Sequence, residues 1–359
     1  MRPPETHSTD DFDSTIDLSG IPVDTSSPVM VTGATGYLGS WVTKGLLDAG
    51  VTVHAAVRDP QNTSKVAHLN RIAEQAPGTV RLFAGDLLQP DSYDQAMEGC
   101  TVVIHTASPF IRAVDDPQRD LVAPALQGTR NVLAGVGRTP SVTRVVLTSS
   151  IAAMYGDAAD IEGYPGRILT ETCWNTTSSA GHQPYPYSKT LAEKEAWRLA
   201  AEQRRWDLVT INPAMIVGPA LGSAPTSESF STARMLIDGT ARLGAPRLGI
   251  SAVDVREVAQ AHIAATFLPE ARGRYIISAE DTDLLALAGR LLPRFGRSFP
   301  LPRRPLPGPA LLAMAPRVGL TRAYVRRNVG YTVRADTSRS RHELGTRLPA
   351  APPSRAFLA

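Results

Sequence analysis

The chain of 359 residues is poor in cysteine, lysine and aromatic side chains: two Cys, four Lys against 33 Arg, and 6% Phe, Trp and Tyr. Cys100 and Cys173 are too few for a disulfide scaffold and stand at no metal-ligand spacing. No apolar run approaches the ~20 residues that a membrane-spanning helix needs, so no membrane partner is expected. The opening MRPPETHSTDDFDSTIDLSG lacks the basic start and apolar stretch of a secretory signal, and its acids speak against a transit peptide. The expected location is cytoplasmic. Charge of either sign is scarce in net terms, at +3, but unevenly spread. Residues 290–347 carry thirteen Arg, no Lys and two acids, Asp336 and Glu343, a net +11 that leaves −8 on the rest. A lobe so basic can meet a polyanion. With few interleaved aromatics, a solvated surface and no nucleic-acid partner is the expectation.

What is present is a soluble composition, 43% hydrophobic and 20% charged, with enough chain for about two domains. Residues 1–27, rich in Ser, Thr, Asp and Pro, read as a disordered leader. From Pro28 the pattern alternates strand and helix. A short buried strand at 29–32 precedes a glycine turn and a helix over 37–49 closed by Gly50. Further strands are read at 51–57, 80–87, 101–108, 144–150 and 208–218, with helical segments between them. That rhythm predicts an α/β fold with a doubly wound parallel sheet. After Gly218 it loosens, and 219–348 reads as a smaller lobe holding a helix at 255–268, a strand at 274–278 and a helix at 282–293. Residues 349–359 read as a tail.

VTGATGYLG places Gly33, Gly36 and Gly39 between the first strand and the first helix. Such a turn brings backbone N–H groups and a helix N-terminus to a pyrophosphate, which marks dinucleotide binding. The second strand ends on Arg58, where an acid would select NAD and an arginine suits the 2′-phosphate of NADP. Lys65 follows in the same loop, and Asp59 is a competing acid beside it. NADP(H) is the expected cofactor.

PYPYSKTLAEKEAW sets Tyr185 and Lys189 four apart, on one face of a helix. A phenol near pKa 10 handles protons at neutral pH only where a cation stabilises its anion, and Lys189 is that cation. RVVLTSS ends a strand with Ser149 and Ser150 at the sheet's carboxyl edge, where ligands of such sheets bind. For the substrate pocket, the segments leaving that edge offer Phe110, Met154, Tyr155, Trp174 and Met235, which suits an apolar ligand of moderate size.

With these motifs the chain resembles the extended short-chain dehydrogenases/reductases, in the branch of dihydroflavonol reductase, cinnamoyl-CoA reductase and microbial aldehyde and ketone reductases. The likeness runs through VTGATGYLGSWV, VRDP, GDL, HTASPF, VVLTSS, YPYSKTLAEKEAW, INPAMIVGP and VDVREVAQAH, from about residue 28 to 290. It implies a Rossmann domain over 28–218 and a substrate lobe over 219–348 whose elements interleave with it. It also implies a serine–tyrosine–lysine set at Ser150, Tyr185 and Lys189. Gly33, Thr35, Gly36, Tyr37 and Leu38 then hold the pyrophosphate, and Arg58 and Lys65 the 2′-phosphate. Asp86 and Leu87 touch the adenine, Thr106 and Ala107 line the groove, and Pro213 and Ile216 flank the nicotinamide. Tyr187 departs from the family's small or aliphatic residue and is read as a packing or pocket-lining group. The expected function is NADPH-dependent reduction of an aldehyde or ketone by a monomer or homodimer. Two alternatives remain open: an enzyme akin to hydroxysteroid dehydrogenases or nucleotide-sugar epimerases, and a non-catalytic NADP-sensing regulator.

Overall fold

The computed structural model describes residues 15–109, 114–222, 227–318 and 320–347. Apolar runs bounded by turns become the strands β1 (Val29–Thr32), β2 (Thr52–Val57), β3 (Thr79–Ala84), β4 (Val102–His105), β5 (Arg144–Thr148) and β6 (Asp207–Pro213), mostly buried except for β3, which lies at the sheet edge and is partly exposed. β1 is wholly buried, and its residues alternate between two cores. Val29 and Val31 join the core under one helical layer, and Met30 joins the other.

After β6 the chain changes sheet. A single residue, Ala214, separates it from β7 (Met215–Val217), which pairs with β8 (Gly249–Asp254) and not with the main sheet. β9 (Gly273–Ile277) then returns to the main sheet beside β6, and β10 (Glu280–Asp283) runs antiparallel to β8. The main sheet is parallel throughout in the order β3-β2-β1-β4-β5-β6-β9, and the small one is β10-β8-β7. Strand order reverses between β1 and β4, so a crevice opens beyond their carboxyl ends.

Helices α1 (Tyr37–Asp48) and α2 (Thr63–Gln75) follow the first two strands, and α3 (Asp94–Met97), α4 (Ala123–Arg138) and α5 (Pro184–Ala201) serve the next three crossovers. In the second half come α6 (Glu228–Ile237), α7 (Val255–Phe267), α8 (Leu284–Phe295), α9 (Gly308–Met314), α10 (Arg322–Asn328) and α11 (Ser338–Glu343). α1, α2 and α7 cover one face of the sheet; α4 and α5 pair on the other.

Three expectations change. The strand read over 208–218 is two strands in two sheets. The strand near 274–278, read as a piece of the lobe, belongs to the main sheet, and α7 and α11 pack with it, so elements of 219–348 interleave with the first domain. Part of the leader is ordered structure: Ile16 is 7% exposed and lies with Ile263 over Gly45 of α1, while Gln260 Nε2 donates to the Asp17 carbonyl at 2.7 Å. Apolar residues spaced along an otherwise polar leader (Ile16, Leu18, Ile21, Val23) supply that contact. The expected tail lies outside the described residues. Among the described residues, no helix is long and apolar enough to cross a membrane.

Candidate active site

Gly33 leaves β1 with φ +65°, and a Cβ there would stand 2.9 Å from Ala107 Cα. At Gly39 a Cβ would come within 2.2 Å of the Gly33 carbonyl. Only glycine allows this turn to close. The first bond of the α1 ladder runs from Ser40 N to Gly36 O, leaving the amides of Tyr37 and Leu38 ahead of it at a helix N-terminus suited to an anion. The Tyr37 hydroxyl donates to the Gly218 carbonyl at 2.8 Å and its ring meets Phe230 edge-on at 4.8 Å. The glycine turn is thereby tied to the chain entering the second half of the molecule. Across the crevice, Thr106 Oγ1 donates to Thr32 O at 2.7 Å, and buried His105 pairs with Thr32 Oγ1. Burial drives the His105 imidazole down to about 3, which keeps it neutral.

At the end of β2 the Arg58 side chain is 83% exposed, with its Nε 3.8 Å from Asp86 Oδ2. The neighbouring acid is occupied: Asp59 Oδ1 accepts from Gln61 N at 2.9 Å and so closes its own turn. Lys65, expected in a loop, stands in the first turn of α2, whose Asn62 cap accepts from the Lys65 amide. Asp86 braces the next turn by accepting from Leu88 N, and Leu87 packs on Gly128.

Helix α5 starts abruptly. Its cap, Gln183, has φ +59° and ψ 57°, Pro184 supplies the first helical φ, and Tyr185 and Lys189 follow one turn apart. Lys189 Nζ lies 5.8 Å from the centre of the Tyr185 ring and donates to Ser108 Oγ at 3.0 Å. Loss of solvation brings the lysine down to about 8, against an opposing pull from Glu193. Of the two serines, Ser149 is buried and donates to Glu193 Oε2. Ser150 begins the 3₁₀ turn 151–153, and its Oγ accepts from Ala152 N at 3.1 Å. That leaves the Ser150 O–H to donate elsewhere.

The carboxylate of Glu193 is wholly buried among donors: Arg274 Nε at 2.6 Å, Asn212 Nδ2 at 2.8 Å, Ser149 Oγ, and more distantly Thr210 and Trp197. Asn212 also donates to Ser150 O, so one network holds the serine turn and the lysine helix together. The sequence reading passed over Glu193 and Ser108. Glu193 had a signal, since it lies four residues after Lys189 on the same helical face.

Gly33, Thr35, Gly36, Tyr37, Leu38, Arg58, Lys65, Asp86, Leu87, Thr106, Ala107, Ser150, Tyr185, Lys189, Pro213 and Ile216 all line one cleft of about 1190 Å³. Tyr155 and Met235 line its far half, joined by Leu311 and Met314 of α9 and Tyr324 of α10. Two pocket expectations are corrected. Met154 is fully buried in the core, and Trp174 lies under the Arg274 guanidinium at 3.9 Å; neither lines the cleft. Both are apolar residues of the segment after Ser150, but the structure spends them on core and on covering a buried cation. Phe110 lies outside the described residues, and Tyr187 is not among the lining residues. The charged groups of the lining are Arg58, Asp59, Lys65, Asp86 and Lys189, all between the glycine turn and α5; the far half, among the described residues, carries none.

Residues 29–266 match the model of the NAD dependent epimerase/dehydratase family. The chain is 41% identical over 258 residues to cinnamoyl-CoA reductase CAD2 of Medicago truncatula, covering 69% of this chain and 75% of that one. It is 36% identical over 281 residues to anthocyanidin reductase of Arabidopsis thaliana, covering 75% and 81%. Among solved structures it resembles yeast methylglyoxal/isovaleraldehyde reductase Gre2 complexed with NADPH, with a TM-score of 0.70, 26% identity, and coverage of 89% and 93%.

Proposed function

The chain belongs to the NAD dependent epimerase/dehydratase family, and from that premise we propose that it is an NADPH-dependent reductase of neutral, moderately sized aldehydes or ketones. The observation that carries this reading is a cleft with the Tyr185–Lys189 pair and Ser150 between a glycine-turn helix terminus and a far half whose described residues carry no charge. The residues fit NADP(H). The turn admits no Cβ at Gly33 or Gly39, Arg58 at the end of β2 and Lys65 in the first turn of α2 make no close ion pair among the described residues, and Asp59 is turned into its own loop. NADPH bound there supplies the hydride.

The chain's own groups do the rest. Tyr185 holds at its hydroxyl the proton that a carbonyl oxygen takes up on reduction. Lys189, one N–H committed to Ser108, turns its ammonium toward the phenol and stabilises the phenolate left behind. Ser150 donates to the same substrate oxygen, a donor aimed in advance at developing negative charge. A nucleotide sugar would bring its phosphates into a far half where no described residue carries a cation, and a pure NADP sensor has no use for the tyrosine–lysine pair. Purified protein, NADPH and a graded series of carbonyls followed by loss of NADPH absorbance test the reading. Turnover favouring aryl or medium-chain over small polar carbonyls, by about tenfold for one or two added apolar contacts, is expected. Turnover of a nucleotide sugar alone would overturn it.

A further inference from the structure

Asp157 has no exposure to solvent, and its carboxylate is shared by two parts of the chain far apart in sequence. From one side come the two residues ahead of α5. His182 Nε2 lies 2.8 Å from Oδ2, and Gln183 Nε2 donates to Oδ1 at 3.3 Å and to the Gly156 carbonyl at 3.0 Å. From the other side comes α10, with Arg327 Nε–H donating to the same Oδ2 and Asn328 Nδ2 donating to Oδ1 at 2.6 Å. Arg327 also reaches Asp160, and Asn328 Oδ1 takes the Ala158 amide at 2.9 Å, so α10 is bound to the whole turn 157–160. Burial pushes the Asp157 carboxyl up, but its bonds from His182, Asn328 and Arg327 outweigh this and hold it below the usual carboxylate range.

Each side of this carboxylate leads to a working surface. Gln183 is the left-handed cap of α5, a backbone state that a glutamine holds only when its surroundings impose it, and Tyr185 is two residues on. Arg327 and Asn328 end the short helix whose Tyr324 faces the far half of the cleft, beside Leu311 and Met314 of α9. α9 and α10 thus form a cap whose inner side is apolar cleft wall and whose foot is Asp157.

Resting on the reductase reading above, we propose that Asp157 is a positioning residue that clamps the α9–α10 cap onto the start of α5, so that the seating of the cap on a substrate sets the aim of Tyr185. A substrate long enough to touch the cap holds both ends of the clamp still; a small one does not. The cap is then a specificity determinant that acts on turnover as well as on binding, since a misplacement near 1 Å at a reacting group costs of order a hundredfold in rate.

Arg327→Ala tests this from the cap side, on a side chain 44% exposed whose loss the fold should tolerate, and His182→Ala tests it from the helix side. Hydrogen exchange needs no substrate. Arg327→Ala should speed exchange at 182–188 by about tenfold or more, and His182→Ala should do the same at 322–329, each leaving the glycine turn unchanged. Arg327→Lys should restore most of the protection. Unchanged exchange at the far side of the clamp in both variants overturns the proposal, whatever the protein reduces. In kinetics, Arg327→Ala should lower kcat/KM for cinnamaldehyde by about tenfold and for acetaldehyde little, part of the loss falling in kcat, with NADPH affinity unchanged. An equal loss for both aldehydes would make the contact merely structural and overturn it too. Absence of any carbonyl turnover by the unaltered protein would sink the reductase reading and leave the exchange measurement to decide the clamp.

Discussion

Glu193 of α5 and Arg274 of β9 form an ion pair at 2.6 Å with the carboxylate fully buried and the guanidinium nearly so. The pair joins the helix that carries Tyr185 and Lys189 to the last strand of the main sheet. Its six neighbouring donors leave the carboxylate fully satisfied, which is what a buried charge requires. Removing one partner strands the other. Glu193→Ala is expected to cost about 3–5 kcal/mol of stability in urea denaturation, and a loss under about 1 kcal/mol would show that water or a rearranged neighbour takes over.

The proposed mechanism gives proton transfer to Tyr185 and not to Tyr187. Tyr185→Phe should reduce turnover by roughly a hundredfold or more, as for loss of a positioned acid, with NADPH affinity intact by fluorescence titration. Tyr187→Phe should be mild. The opposite ranking would reverse the assignment.

In the proposed reading, cofactor choice rests on Arg58 and Lys65. Charge-assisted bonds to a phosphate contribute roughly 1.5–3 kcal/mol each, about ten- to a hundredfold in affinity. Arg58→Ala should raise KM for NADPH by that factor and leave KM for NADH nearly unchanged. Equal use of both cofactors by the unaltered protein would refute it.

Lys189 is brought down to about 8 in the folded protein from 10.5. The unfolded chain therefore holds this proton more tightly, and folding stability from this group rises with pH between about 8 and 10.5. Below pH 8 the desolvated ammonium weighs on the fold in full. The unfolding free energy of the native protein should gain on that of Lys189→Met as pH rises through this window; a flat difference would place the lysine at its ordinary value. Activity should run the other way, because the proposed mechanism needs the ammonium, and kcat/KM should fall above about pH 8.

Met154 is expected to matter for stability alone. Met154→Ala should cost about 2–5 kcal/mol, the range for truncating a buried methionine, while KM for carbonyl substrates stays put at temperatures where the variant is folded. A large rise in KM would return Met154 to the pocket.

The parts legible in the sequence were those written in local spacing. Gly33, Gly36 and Gly39 follow one another around a single turn, and Tyr185 and Lys189 share one helical face, so chain geometry alone brings each set together. The parts that were not legible depend on distant partners. Arg274 is 81 residues from Glu193, and Arg327 is 170 from Asp157; nothing in either local pattern announces the other. Apolar type was a poor guide to direction, since Met154 faces the core and Tyr155, its neighbour, lines the cleft. The strand at 273–277 was read as part of the lobe because its sequence neighbours are there, but register with β6 draws it back to the main sheet.

That returning strand has a consequence for how the protein is made. β6 is complete at Pro213 and pairs at once with β5, yet the partner for its other edge does not exist until Gly273–Ile277 has left the ribosome, with all of 214–272 emerging in between. During synthesis the nascent sheet therefore carries an open edge, ready to pair with another chain. A message cut short before codon 273 would make that edge permanent, and its product should be found with chaperones or in inclusion bodies rather than as a free nucleotide-binding half. The two halves divide the labour of the cleft, but the ribosome has to deliver both before either is safe.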